Sequence, residues 1–299
     1  MPPWIAFTLL AAFAQNVRSA LQRNLAGDLT ATGAAYVRFV YGLPLAGLYL
    51  CVLAAVSGDR IPGPNAGFLL AVAVGGTAQV VSAVLLVRMF ALRVFTVGTT
   101  YAKTETVQTA IIGLVVLGDT VGPYALAGIL ISLAGVIALS VARTAVTPRA
   151  LVTSLASPIA LMGLGCGPGF AVASVAYRAA ALSLADTGYA LSAAVTLVWV
   201  LAWQTLVMTA WLGWRDRAAL YQSFMRWRSA GLVGIASVAG SIGWFTAFAL
   251  ENAAYVKALG QIELIFALAT SWLIFKEKTN RAELLGVGLV VAGLVLVVL

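Results

Sequence analysis

Two short segments of an otherwise apolar chain bring together a cation, a carboxylate and amide side chains. The first holds Tyr101, Lys103, Glu105 and Gln108; the second holds Lys257, Gln261 and Glu263. At about 100° per residue on a helix, Tyr101, Glu105 and Gln108 share one face and Lys103 points roughly opposite, while Lys257 and Gln261 share a face. Such groups could bind a charged or zwitterionic solute. They could also pair with one another, Glu105 with Lys257 and Lys103 with Glu263. The sequence leaves both readings open.

A second polar set is Gln15, Asn16, Arg18, Gln79, Ser82, Ser237, Ser241 and Trp244. Gln15 and Arg18 share a helical face, as do Gln79 and Ser82, and Gln79 and Trp244 are expected to line a cavity. The candidate substrate-binding residues are therefore Gln15, Gln79, Ser82, Tyr101, Lys103, Glu105, Ser241, Trp244, Lys257, Gln261 and Glu263. The chain has no histidine, and Cys51 and Cys166 stand alone in apolar surroundings. Histidine-dependent nucleophilic catalysis is thereby excluded, and no disulfide framework or cysteine metal site is expected. No catalytic residue, metal or cofactor is expected, and an intramembrane enzyme ranks last among the function classes.

The elements that must carry these groups are membrane helices. Apolar residues make up 62% of the 299 and charged residues 9%, against about half and a quarter in ordinary soluble domains. Too few charges remain to cover a water-facing surface, so the lipid bilayer is the expected partner of the outer surface. The net charge of +8 gives no reason to expect nucleic acid, because most basic residues fall at helix ends. Hydropathy and turn residues predict an all-α fold with helices over 3–24, 31–56, 65–89, 94–117, 122–143, 154–180, 188–213, 229–250, 253–275 and 281–299, one membrane domain spanning 1–299. The start lacks the basic segment of a secretory signal, so 3–24 is expected as a retained first helix. The basic, aromatic stretch Arg215–Arg228 is expected along the membrane interface, and Trp199, Trp211, Trp214 and Trp227 in an interfacial belt. The run Gly163–Gly169 offers either a hinge or a close helix contact.

The chain also resembles itself. Residues near 105–137 align without a gap on residues near 263–295 at an offset of 158, placing Glu105 on Glu263, Asp119 on Glu277, Gly128 on Gly286 and Gly135 on Gly293. Arg23 and Thr32-Gly33 fall on Arg178 and Thr187-Gly188 at an offset of 155. Paired mid-helix glutamates in one register imply duplication, with 1–148 and 149–299 as five-helix repeats. Five is odd, so the second copy enters the membrane from the other side. The expected architecture is ten transmembrane helices in a five-plus-five inverted repeat around a central cavity, a recurrent plan of secondary transporters. Arg23, Arg88, Arg93, Arg143, Arg149, Arg215, Arg217, Arg226, Arg228, Lys276, Lys278 and Arg281 collect on one side, and Arg60 and Arg178 on the other. The crowded side is expected to be cytoplasmic, with both termini periplasmic.

Glu105 through Gly118-Asp119 into Gly128 and Gly135, and Glu263 through Lys276-Glu277 into Gly286 and Gly293, resemble the drug/metabolite transporter superfamily in its EamA-like group. In that family each repeat ends with a carboxylate-bearing helix, an acidic turn and a glycine-rich last helix. Among its members the chain looks most like the bacterial aromatic amino-acid exporters. That resemblance implies a basket of helices around a cavity, a bacterial inner membrane, and export of aromatic and other neutral amino acids; the chain is expected to act as a monomer. Rings at Tyr101, Trp244 and Tyr255 beside lysine and glutamate suit an amphipathic zwitterion. Cationic drugs or other metabolites are the alternative cargo. A phosphate-bearing cargo ranks lower, since only Arg18, Lys103 and Lys257 are read as cavity cations.

Overall fold

The computed structural model describes residues 1–25, 29–91, 102–143, 158–184, 187–275 and 281–299, and all regular structure among them is helical. The helices are α1 Pro3–Leu25, α2 Ala31–Val40, α3 Gly42–Ser57, α4 Ala66–Ala91, α5 Glu105–Leu117, α6 Pro123–Arg143, α7 Pro158–Leu182, α8 Tyr189–Arg215, α9 Arg217–Met225, α10 Trp227–Leu250, α11 Ala253–Gly260, α12 Glu263–Phe275 and α13 Arg281–Val298. Among the described residues Thr32–Ser57, Ala66–Leu86, Tyr189–Arg215 and Trp227–Leu250 are each long and apolar enough to cross a bilayer. Their outer faces carry bare aliphatic side chains, such as Val56 at 81% and Leu70 at 66% exposure. A surface of that kind is at home in lipid, where every backbone polar group must be satisfied within a helix.

Several predicted helices differ in detail. The stretch expected over 31–56 divides into α2 and α3 at Tyr41. Pro44, just inside α3, has no N–H to return to Val40, so the ladder breaks there. Arg215–Arg228 contains α9, capped by the Asp216 carboxylate accepting from the Ala219 N–H at 3.0 Å. Trp211, Trp214 and Trp227 are exposed. The glycine run of the sixth predicted helix lies inside α7, which continues unbroken past Pro168. Its glycines are contact points instead: Gly167 faces Gln108 of α5, and Gly169 faces Ser82 and the Ala78 carbonyl of α4.

The largest change concerns the two charged segments, predicted to lie mid-helix. α5 begins at Glu105 after a turn at Lys103–Thr104, and α12 begins at Glu263 after a turn at Gln261–Ile262. In the second turn the bonds run from Gln261 N–H to Ala258 and from Ile262 N–H to Leu259, a 3₁₀ pattern. Each glutamate therefore stands in the first turn of a helix, where unpaired N–H groups favour a negative charge.

The most extensive helix contacts are α6 on α13, α4 on α7 and α1 on α10. They are built on small residues, since lipid gives apolar side chains no reason to seek each other and close packing must hold the helices together. A Cβ on Gly128 would lie 2.5 Å from the Gly293 carbonyl oxygen, and one on Gly135 would lie 2.8 Å from that of Gly286. The early residue of α6 meets the late residue of α13 and the reverse, so the two helices run antiparallel. Gly128→Val and Gly135→Val should each destabilise the protein by about 1–3 kcal/mol or more through overpacking against backbone. Unchanged thermal unfolding of either purified variant would contradict this close approach.

Candidate functional site

The two charged segments meet. The Lys103 ammonium forms an ion pair with Glu263, and the Lys257 ammonium lies 3.3 Å from a Glu105 oxygen. Each pair joins the first half of the chain to the second. The turns that precede α5 and α12 make this possible, because they release Lys103 from the helical register that would aim it away from Glu105. The side chains remain 16–23% exposed, so the four charges border accessible space.

Three further candidates complete this cluster. The Gln15 amide of α1 donates to Glu263, and its oxygen accepts from the Trp244 indole N–H of α10 at 3.2 Å. Lys257 stands 5.4 Å from the Trp244 ring centroid and 5.9 Å from that of Phe170, within cation–π range. Gln261 is buried and donates to the Thr106 hydroxyl at 2.8 Å, tying the turn before α12 to the start of α5. Gly260 lies against the edge of the Trp244 ring, where a Cβ would fall 3.0 Å from Cζ3.

Other candidates lie elsewhere. Gln79 of α4 accepts from Gln204 of α8 at 2.5 Å and lies 2.8 Å from the Tyr177 hydroxyl of α7. Ser82 is fully buried in the α4–α7 crossing against Gly169, its hydroxyl without a hydrogen-bond partner. Ser241 is part-buried on α10, nearly one turn before Trp244. Tyr101 lies outside the described residues. Tyr177 and Gln204 are not among the sequence-predicted site residues. Gln204 is the one glutamine in a 27-residue apolar helix, and its depth was the available signal. Phe248 stacks its ring on Trp244 at 6.0 Å and 22°.

A second cross-half contact lies at the turn that follows α5. Gly118 ends α5 in the left-handed region (φ 69°), which only glycine enters freely, and the Asp119 N–H returns to the Gly113 carbonyl. That turn presents Asp119 to Arg178 of α7, whose Nε donates at 2.7 Å and whose Nη2 lies 3.4 Å from the second oxygen. Arg178 Nη1 donates to the Phe248 carbonyl at 3.0 Å. Asn252, the cap of α11, donates to the Thr120 carbonyl at 3.3 Å, and the Gly122 N–H donates to the Tyr255 hydroxyl at 3.1 Å.

Chemically, paired charges beside an indole and phenyl rings can bind and release a small amphipathic solute, and among the described residues no group of histidine, cysteine and carboxylate ligands could hold a metal. Residues 159–299 match the model of the EamA-like transporter family. A solved crystal structure, 14% identical, superposes with a TM-score of 0.74 and covers 98% of this chain and 96% of that chain; at that identity it speaks for the fold alone. No curated protein sequence matches the chain. With the family's model on its second half and apolar helices among its described residues, the chain is a multi-pass membrane protein whose residues 159–299 are similar to the EamA-like transporter family.

Proposed function

We propose that the protein is a monomeric secondary transporter of the bacterial inner membrane, with ten spans in a five-plus-five inverted repeat. It exports aromatic and other neutral amino acids by alternating access. The observation that carries this reading is the pair of cross-half Lys–Glu contacts at the interrupted segments before α5 and α12, beside Trp244. Helices broken at membrane depth, with charges at the break, are how transporters of inverted-repeat design build a binding site that both halves share. The lysines and glutamates can exchange their mutual contacts for the carboxylate and ammonium of a zwitterion. Trp244, Phe248 and Phe170 supply faces for a ring.

The glycine contacts support the repeat. Gly128 aligns with Gly286 and Gly135 with Gly293, yet Gly128 meets Gly293 and Gly135 meets Gly286. Such reciprocal exchange is the signature of a two-fold axis between copies. The antiparallel course of α6 and α13 agrees with copies that cross the membrane in opposite directions.

Reconstituted in liposomes, the protein should carry tryptophan and phenylalanine down a concentration gradient, read as tracer flux. Flux no faster than in protein-free vesicles, with good incorporation, would reject the amino-acid assignment. Saturable movement of an organic cation in the same vesicles would transfer the assignment to cationic drugs.

A further inference from the structure

Two half-buried arginines of α1 and α2 have no carboxylate paired to either among the described residues. Arg18 lies seven residues before Leu25, the last of α1, and Arg38 seven after Ala31, the first of α2. At about 1.5 Å per residue both stand roughly 10 Å in from the connection between those helices, at one level. α1 and α2 each pack on α10 more than on one another. Arg18 Nε is buried and has no hydrogen-bond partner. The Arg38 guanidinium lies 4.7 Å from the Phe39 ring centroid, within cation–π range.

The two cations are within electrostatic reach of each other, Arg18 also of Glu263 and Arg38 also of Tyr177. Arg18 thus lies toward the Glu263 cluster and Arg38 toward the Tyr177–Gln79–Gln204 network. Glu263 does not discharge them, since Lys103 and Gln15 already occupy it. Two like charges in a medium of low polarity are unfavourable until an anion joins them. Guanidinium forks match the two oxygens of a carboxylate. The nearby Glu263 carboxylate opposes a doubly charged phosphate more than a singly charged carboxylate, and it would favour an ammonium on the same ligand.

The geometry points to a carboxylate-binding subsite formed by Arg18 and Arg38, at one end of a polar track whose other end is Trp244 and Lys257. It rests on the transporter reading in one respect, that the carboxylate belongs to the cargo, and so assigns the cargo to carboxylate-bearing amphipathic solutes.

Binding tests it apart from flux. Thermal unfolding of the purified full chain would be followed against phenylalanine, benzoate, 2-phenylethylamine and inorganic phosphate. Phenylalanine and benzoate should stabilise the wild-type protein, and the amine and phosphate should not. Arg18→Gln and Arg38→Gln should each raise the half-saturating carboxylate concentration by about tenfold or more, and Arg38→Lys by less. Without ligand the glutamine variants should unfold no earlier than wild type, since the cation removed has no partner to strand. Stabilisation by phosphate alone, equal carboxylate response in both glutamine variants, or failure of both to fold would each overturn the subsite. Absence of amino-acid flux with this binding pattern intact would remove the proposed transport and leave the subsite; intact flux without the pattern would do the reverse.

Discussion

Glu263→Gln should abolish most solute flux and lower thermal stability together. The Glu263 carboxylate receives Lys103 of the first half and the Gln15 amide, and Gln15 in turn holds the Trp244 indole. Neutralising it strands the Lys103 ammonium, at a cost of about 3 kcal/mol, the lower end for a buried pair because both side chains keep some exposure. Loss of a charge-assisted contact to cargo, about 1.5–3 kcal/mol, corresponds to roughly tenfold to a hundredfold in affinity. The double variant Lys103→Gln, Glu263→Gln separates two roles. If the pair only locks the halves together, the double variant should recover both stability and flux, since neither charge is stranded. If the pair lines the path, stability should recover and flux should not. Melting and tracer flux on the two single variants and the double variant form a complete cycle. Wild-type flux in Glu263→Gln would remove this carboxylate from the transport path.

The same pairs show how far the sequence could be read. Glu105 with Lys257 and Lys103 with Glu263 were available from spacing alone, as one of two readings, because four charges in a chain with so few had to find partners. Their local geometry was not available. Ile262 to Phe275 reads as one apolar helix with the residues before it, and no proline marks the turn at Gln261; hydropathy averages over a 3₁₀ step of this size. Which face of a uniformly apolar helix looks inward is likewise hidden, because an apolar stripe stands out only against a polar one. Gln79 was thus grouped with Trp244, whereas it joins Tyr177 and Gln204. The polar turn at Gly118-Asp119 was legible as part of the repeat, but its contact with Arg178 connects positions 59 apart in the chain, and no local pattern encodes that.

That contact carries the second large expected effect. Arg178 binds Asp119 through two nitrogens and holds the Phe248 carbonyl with a third, and Phe248 stacks on Trp244 one turn along α10. The end of the bundle carrying these turns is therefore tied to the ring beside Lys257. Under alternating access this tie must break for cargo to pass that end, and a group that favours one of two states shifts their ratio by its differential energy. Asp119→Asn weakens the tie without removing the hydrogen-bonding shape, and a change of about 1.4 kcal/mol shifts the open population tenfold. A cysteine placed at Gly122, whose N–H meets the Tyr255 hydroxyl, reports opening in a background with Cys51→Ser and Cys166→Ser. Its reaction with a membrane-impermeant maleimide should be about tenfold faster in Asp119→Asn. The exchanged pair Asp119→Arg, Arg178→Asp should return it toward the starting rate, since opposite charges again face each other. Phenylalanine should slow labelling in the parent if its binding and the closed end are coupled through Trp244 and Phe248. Equal labelling in parent, Asp119→Asn and the exchanged pair would mean that Arg178 braces the fold without gating it.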